Sequence, residues 1–159
     1  VEEDAMDLFQ SYLFSGFDSG QLDAVRAIAG EMPMSKGQKV FSESEKDGRV
    51  FILKNGEVEM TTRVENGLEL PISLLREPGD LFGVSALIEP YQYSLSARCA
   101  APGSLLYIER KRLEEIALKD PDFGCKISSN LASFFLGRLK ETRNQLKIHF
   151  KTLLMSTRS

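Results

Sequence analysis

The hydrophobic period of this chain changes twice, from helical to extended near Glu31 and back to helical after Arg110, and no other feature constrains its fold as tightly. Ahead of the first change, Leu8, Tyr12 and Leu13 fall at helical spacing. Leu22, Val25, Ile28 and Ala29 repeat that spacing after an Asp18-Ser19-Gly20 start signal, which predicts two short opening helices. Between the two changes, β-favouring runs alternate with turn chemistry: Lys39-Val40-Phe41, then 49–53, 57–62 and 68–75. Asn55-Gly56 and Asn66-Gly67 separate successive runs, and Asn-Gly supplies the positive φ angles of tight turns, so both are predicted hairpins. Pro78-Gly79-Asp80 predicts a further turn, with strands expected over 93–100 and 104–109.

Beyond Arg110, Leu113, Ile116, Ala117 and Leu118 predict a short helix that stops before Asp120-Pro121, and a much longer helix is expected over 122–154. Along it Leu131, Phe135, Leu139, Thr142, Leu146, His149 and Leu153 are spaced by threes and fours. That spacing keeps a narrow seam on one side, which suits a helix that meets a second helix. Gly137 weakens the helix by about 1 kcal/mol relative to alanine, so close packing or a bend is expected there.

With 159 residues, 42% of them hydrophobic, the chain can build a core without metal or disulfide staples. Cys99 and Cys125 each lie in an apolar-patterned stretch and are expected to be buried free thiols in a reducing compartment. The start Val1-Glu2-Glu3-Asp4 is the opposite of a basic leader, and no apolar run is long enough to span a bilayer; the expectation is a cytoplasmic protein with no membrane contact. A net charge of -3 argues against a grip on nucleic acid by the domain itself. From Arg138 onward Lys140, Arg143, Lys147, Lys151 and Arg158 join that arginine against one acid, Glu141. These cations are spread around the helix and read as a solvated face.

Catalytic constellations are missing. A metal-dependent barrel enzyme needs several His or carboxylate ligands converging from strands, whereas His149 is the single histidine and sits on the terminal helix as an interface residue. Two cysteines cannot ligate an iron-sulfur cluster, and there is no P-loop, dinucleotide-binding glycine pattern or nucleophile elbow. The expectation is no enzyme and no metal. What does stand out is the stretch from Pro78 through Gly83, Val84 and Ser85 to Leu87, followed by Tyr93-Ser94-Leu95-Ser96-Ala97. A turn that enters a short helix from a glycine presents unpaired backbone N–H groups, the physical form of an anion cradle.

These segments, with LFSGF, QLDAV, KGQKVFSESE, FILKNGEVEM, NGLEL, REPGDLFG and GRLKETRNQL, closely resemble the cyclic-nucleotide-binding domain family over nearly the whole chain. The likeness is to the sensor half of cAMP-receptor-like and FNR-like transcription regulators. It implies a mainly β fold, an eight-stranded double-stranded β-helix (a jelly-roll-like β-roll), with flanking helices and a long C-terminal helix that pairs with its twin in a homodimer. One domain over 1–159 is implied: N-terminal helices in 1–30, the roll in 31–110 and C-terminal helices in 111–159. Leu139, Thr142, Leu146, His149 and Leu153 are then the expected dimer interface. A helix-turn-helix domain follows the long helix in that family. DNA is therefore expected as a partner only through a segment beyond Ser159, unless the chain acts as a stand-alone regulatory subunit.

The resemblance makes Gly83, Val84, Ser85, Tyr93, Ser94, Leu95 and Thr142 the ligand-binding positions, with Thr142 matching a helix residue that reaches the adenine. The family pattern places Glu on the ribose hydroxyl and Arg against the cyclic phosphate, where this sequence has Val84 and Tyr93. Loss of a charge-assisted phosphate contact costs about 1.5 to 3 kcal/mol, and an unpaired ribose hydroxyl roughly 1 to 3 more. Together that is on the order of a hundred-fold to ten-thousand-fold in affinity. No cofactor is therefore certain: cAMP or cGMP is doubtful, and a different effector, or no small ligand, is expected in its place. The rival expectations are a degenerate domain that binds only protein and a metal-containing cupin-type enzyme.

Overall fold

The computed structural model describes residues 8–9 and 12–158. The first expected helix and the acidic start fall largely outside the described residues. Leu8 and Phe9 are helical, and Tyr12–Phe14 form a 3₁₀ turn that buries Leu13 and Phe14. Helix α1 (Ser19–Ile28) begins as the sequence predicts. Asp18 Oδ1 accepts from the Gln21 N–H at 2.8 Å while Gln21 Oε1 accepts from the Asp18 N–H at 3.1 Å, a reciprocal capping box.

Six strands follow: β1 (Gly30–Met34), β2 (Lys39–Phe41), β3 (Arg49–Arg63), β4 (Glu69–Leu75), β5 (Leu81–Phe82) and β6 (Ser96–Glu109). All pairings are antiparallel in the order β1-β6-β3-β4, with β2 on β6 and β5 on β3. This is the expected β-roll. It has six strands where the resemblance implies eight because β3 and β6 each run through a bend. The Asn55-Gly56 hairpin is corrected accordingly. β3 continues across that pair, and its register with β6 shifts between Leu53 and Val58. Gly56, at φ +92°, lies against the Ala101 and Pro102 carbonyls, and Asn55 Oδ1 accepts from the Ser104 N–H at 2.8 Å. Two bent strands therefore lock at one corner. Asn66-Gly67 does close a hairpin, with Asn66 and Gly67 both at positive φ between β3 and β4. The strand expected from Tyr93 begins only at Ser96 and is continuous with the next one through Gly103.

The run Val50-Phe51-Ile52-Leu53 is apolar without alternation because both faces of β3 are covered. Phe51 and Leu53 point into the roll with Phe41, Val58, Phe82, Tyr93 and Leu105. Val50 and Ile52 point outward into a second cluster with Leu22 and Val25 of α1 and with the helices that follow β6. Those are α2 (Arg110–Lys119), contributing Leu113, and α3 (Pro121–Thr157), contributing Phe123. Pro121 opens α3 with Asp120 as its cap, and a polar cluster fixes the junction. Gln21 Nε2 donates to Asp120 Oδ2 at 3.2 Å and to Asp122 Oδ2 at 2.9 Å, and Lys126 Nζ donates to Gln21 Oε1 at 2.8 Å. The hydrogen bonds from Gln21 and Lys126 hold the Asp122 carboxyl below its ordinary range.

Three further expectations are revised. Cys99 is buried, but Cys125 is exposed on α3. Gly137 has nothing within 4 Å of where a Cβ would stand, so it packs closely on no described residue of its own chain; Gly124, against Ala117 Cβ at 3.2 Å, is the glycine of the helix that does. The seam along α3 divides, since Leu131 and Phe135 pack on the roll's outer cluster whereas Leu139, Leu146, His149 and Leu153 are exposed.

Two glycine substitutions should move stability in opposite directions. Gly56→Ala forces a Cβ at positive φ against two carbonyls and should cost roughly 1 to 3 kcal/mol. Gly137→Ala should gain up to about 1 kcal/mol through helix propensity alone. Urea midpoints at unchanged slope are the readout.

Candidate ligand cavity

A cavity of about 260 Å³ opens where the roll's interior meets α3. Its inner wall is apolar, formed by Phe41, Met60, Leu75 and Phe82 from the roll. One rim is the 3₁₀ turn Val84–Leu87, entered from Gly83 at φ +73°. A Cβ on Gly83 would stand 3.1 Å from the Tyr93 ring, 3.2 Å from Phe41 and 3.3 Å from Phe51, so both the left-handed backbone and the lack of space require glycine. The opposite rim is one face of α3.

All the predicted ligand positions except Tyr93 line this cavity: Gly83, Val84, Ser85, Ser94, Leu95 and Thr142. Val84 is 4% exposed and packs outward with Leu81 and Leu22, so an apolar side chain stands where the sequence resemblance implies an acid. Tyr93 points away from the cavity. Its ring is buried in the roll, stacked on Phe41 at 3.7 Å and 12°, and its hydroxyl donates to the Arg49 carbonyl at 2.7 Å. Burial, with Asp47 nearby, pushes the phenol far above its ordinary value and keeps it neutral. The cradle is also partly closed on itself, because Ser85 Oγ accepts from the Ser94 N–H at 3.0 Å.

α3 adds residues that sequence reasoning missed. Phe134, Arg138, Glu141 and Gln145 join Thr142 along the cavity. They follow the i, i+4, i+7, i+11 pattern of one helix face, and that polar-aromatic stripe was the available signal. Among the described residues Arg138 and Glu141 are the only charged groups lining the cavity, and Arg138 Nη1 donates to Glu141 Oε2 at 3.2 Å. The Arg138 guanidinium lies 5.0 Å from the Phe134 ring centre. A second, more open hollow on the far side of Ser85 and Ser94 is bordered by Glu43 and Glu89. Among the described residues no group of three or more His, Cys, Asp or Glu side chains is placed to hold a metal ion, and no helix is long and apolar enough to cross a membrane.

A six-stranded β-roll whose glycine turn and long helix enclose one cavity defines a regulatory ligand-binding domain. Residues 31–120 match the family model described as "Cyclic nucleotide-binding domain", and the chain belongs to that family. It is similar to a CRP-like cAMP-activated global transcriptional regulator of Mycobacterium tuberculosis, with 24% identity over 139 residues, 87% of this chain and 60% of that protein. The chain thus spans about three fifths of that relative's length. Its fold is shared with the catabolite activator protein of Thermus thermophilus, at a TM-score of 0.73 and 24% identity, covering 87% of this chain and 62% of that one. A cyclic nucleotide-binding domain of Methylobacillus flagellatus superposes at a TM-score of 0.77 with 17% identity, covering 90% and 80% of the two chains.

Tyr93→Phe should destabilise the protein by about 1 kcal/mol at neutral pH, because the Arg49 carbonyl loses its donor. A raised folded-state value means that the stabilisation by neutral Tyr93 is fully present below the unfolded tyrosine value, about pH 10, and is lost as pH rises beyond it. Unfolding midpoints of the two proteins should therefore converge above about pH 10.

Proposed function

We propose that this chain is the effector-sensing module of a CRP-like transcription regulator, working in the cytoplasm as a homodimer and without ordinary cyclic-nucleotide recognition. The observation that carries this reading is that residues of α3 and of the glycine turn line the same cavity. An occupant touches both, so its binding free energy depends on where α3 sits, which is the requirement for a ligand to shift a conformational equilibrium. DNA contact belongs to a separate helix-turn-helix domain, as in cAMP-receptor-like regulators, and the module itself performs no catalysis.

The altered recognition rests on Val84 and Tyr93. Val84 offers a ribose hydroxyl no partner, and the roll interior, not the cavity, holds the Tyr93 ring. Replacing Tyr93 with arginine would remove the ring stacked on Phe41 and bury a guanidinium, so restoring the family's phosphate contact demands more than that exchange. Dimerisation rests on α3, where Leu136, Leu139, Leu146, Phe150 and Leu153 are between 49% and 69% exposed. Their spacing of threes, fours and sevens is that of a two-helix seam, and single-chain surfaces rarely leave so many large apolar groups in water.

Two measurements test this. Calorimetry with cAMP at sub-millimolar concentration should show little or no binding, and tight binding would mean that other groups hold the phosphate. Light scattering should find a dimer at micromolar concentration, and Leu139→Asp with Leu146→Asp should give a folded monomer, since both positions face solvent within one chain. An unmutated chain that stays monomeric at high concentration sinks the dimer.

A further inference from the structure

The walls of the cavity narrow the chemistry of its occupant, a step that rests on the sensing role proposed above. We infer that the cavity takes a compact organic monoanion, a carboxylate on an aromatic or alicyclic ring, with Arg138 of α3 as its charge partner. Size sets the first limit. About 260 Å³ lies just below the usual range of small-molecule sites, roughly 300 to 1,000 Å³. Polarity sets the second. Met60, Leu75, Phe82, Leu95 and Phe134 offer a ring-sized body dispersion and apolar contact, beside the uncharged polar groups of Ser73, Ser85, Ser94, Thr142 and Gln145.

Charge sets the third limit, and it comes from the helix side. The glycine turn and the Ser94-Leu95 segment contribute no charged side chain to the cavity, and one of their N–H groups is already taken by Ser85 Oγ. Arg138 is the one cation lining the cavity among the described residues. Its partner Glu141 is held by a contact of 3.2 Å between side chains 46% and 65% exposed, the kind of solvent-screened pair that contributes little. A ligand carboxylate reaching the guanidinium from the drier cavity side can accept two parallel N–H bonds while Glu141 turns to water. Phe134 beneath the guanidinium keeps its plane beside the cavity mouth. A phosphate or a dianion would find no second cation. Glu43 and Glu89 border the neighbouring hollow and disfavour an anion there.

The test uses benzoate, phenylacetate, 2-naphthoate and cyclohexanecarboxylate, each paired with its neutral amide, and cAMP alongside. Thermal shift and calorimetry are run on the whole chain. At least one carboxylate should bind once per chain, with its amide weaker by about tenfold or more, the ratio expected for losing a charge-assisted contact. Arg138→Gln should remove that acid-over-amide preference, Arg138→Lys should keep part of it, and Glu141→Gln should strengthen the acid. The melting temperature of each unliganded variant checks that it still folds. Equal binding of acid and amide, a preference untouched by Arg138→Gln, or no binding by any acid overturns the inference. In those cases binding of some other small molecule at the cavity would leave the sensing role standing, whereas tight cAMP binding indifferent to Arg138→Gln would remove the altered recognition proposed above as well.

Discussion

The stacked rings inside the β-roll are the constraint on which the rest of the site depends. Phe41 lies 3.7 Å from Tyr93, 5.7 Å from Phe51 and 6.0 Å from Phe82, and Phe51 and Phe82 are 5.4 Å apart. These four rings fill the space between β2, β3, β5 and the segment before β6. Aromatic side chains bury large areas each, and offset stacking adds about 0.5 to 1.5 kcal/mol per pair. The stack also shapes the backbone above it, since Gly83 rests directly on three of the rings and can turn there only without a Cβ. The same ring that completes the stack occupies the position where the sequence resemblance implies a phosphate-binding arginine.

Around that stack the architecture follows from strands covered on both faces. Residues 50–53 of β3 alternate between the roll interior and the layer beneath the helices, so both faces of the strand are dry and every residue of the run is buried. The outer layer needs the helices to close it. α3 supplies Phe123, Ile127, Leu131 and Phe135 to that layer over its first half. Its direction is set at the start by Asp120, Gln21, Asp122 and Lys126, a cluster that joins the capping box of α1 to the first turn of α3. Asn130 adds a second tie, donating to the Leu13 and Ser15 carbonyls at 2.8 and 2.9 Å. The helix that walls the cavity is thus held firmly only up to the point where the cavity begins.

Period and turn chemistry were enough to read the order of elements and the long helix, because those depend on local spacing. Asn66-Gly67 was read correctly since a hairpin is closed within a few residues. Asn55-Gly56 has the same local chemistry and was misread, because what keeps β3 running through it is a partner strand about fifty residues away, with Gly103 and the carbonyls of Ala101 and Pro102 pressed against the bend. Tyr93 shows the same limit at the site. Its place in the sequence matched a ligand position, but which way its side chain turned was decided by Phe41 and the Arg49 carbonyl, both remote in sequence. The α3 seam was half legible. Threes and fours identified a sided helix, but only the docked roll divides that face between Phe135, packed on the outer cluster, Thr142, at the cavity, and Leu139, Leu146 and Leu153, turned to water.

On the proposed reading, that division of α3 would link the cavity to the exposed seam. Arg138 and Thr142 line the cavity on a helix that is exposed from Leu136 onward, and Leu146 lies only one turn beyond Thr142, about 6 Å along the axis. A rotation or shift of α3 that improves contact with an occupant must carry the exposed leucines with it, because a continuous helix transmits rigid movement along its length. The size of the response is bounded by chemistry at the cavity. A ligand that binds one placement of α3 a hundred-fold better than another can bias the helix by about 2.7 kcal/mol and no more. A bias of that size is smaller than the roughly 5 to 15 kcal/mol that holds a domain folded, so it could shift the placement of α3 but could not reorder the stacked core of the roll.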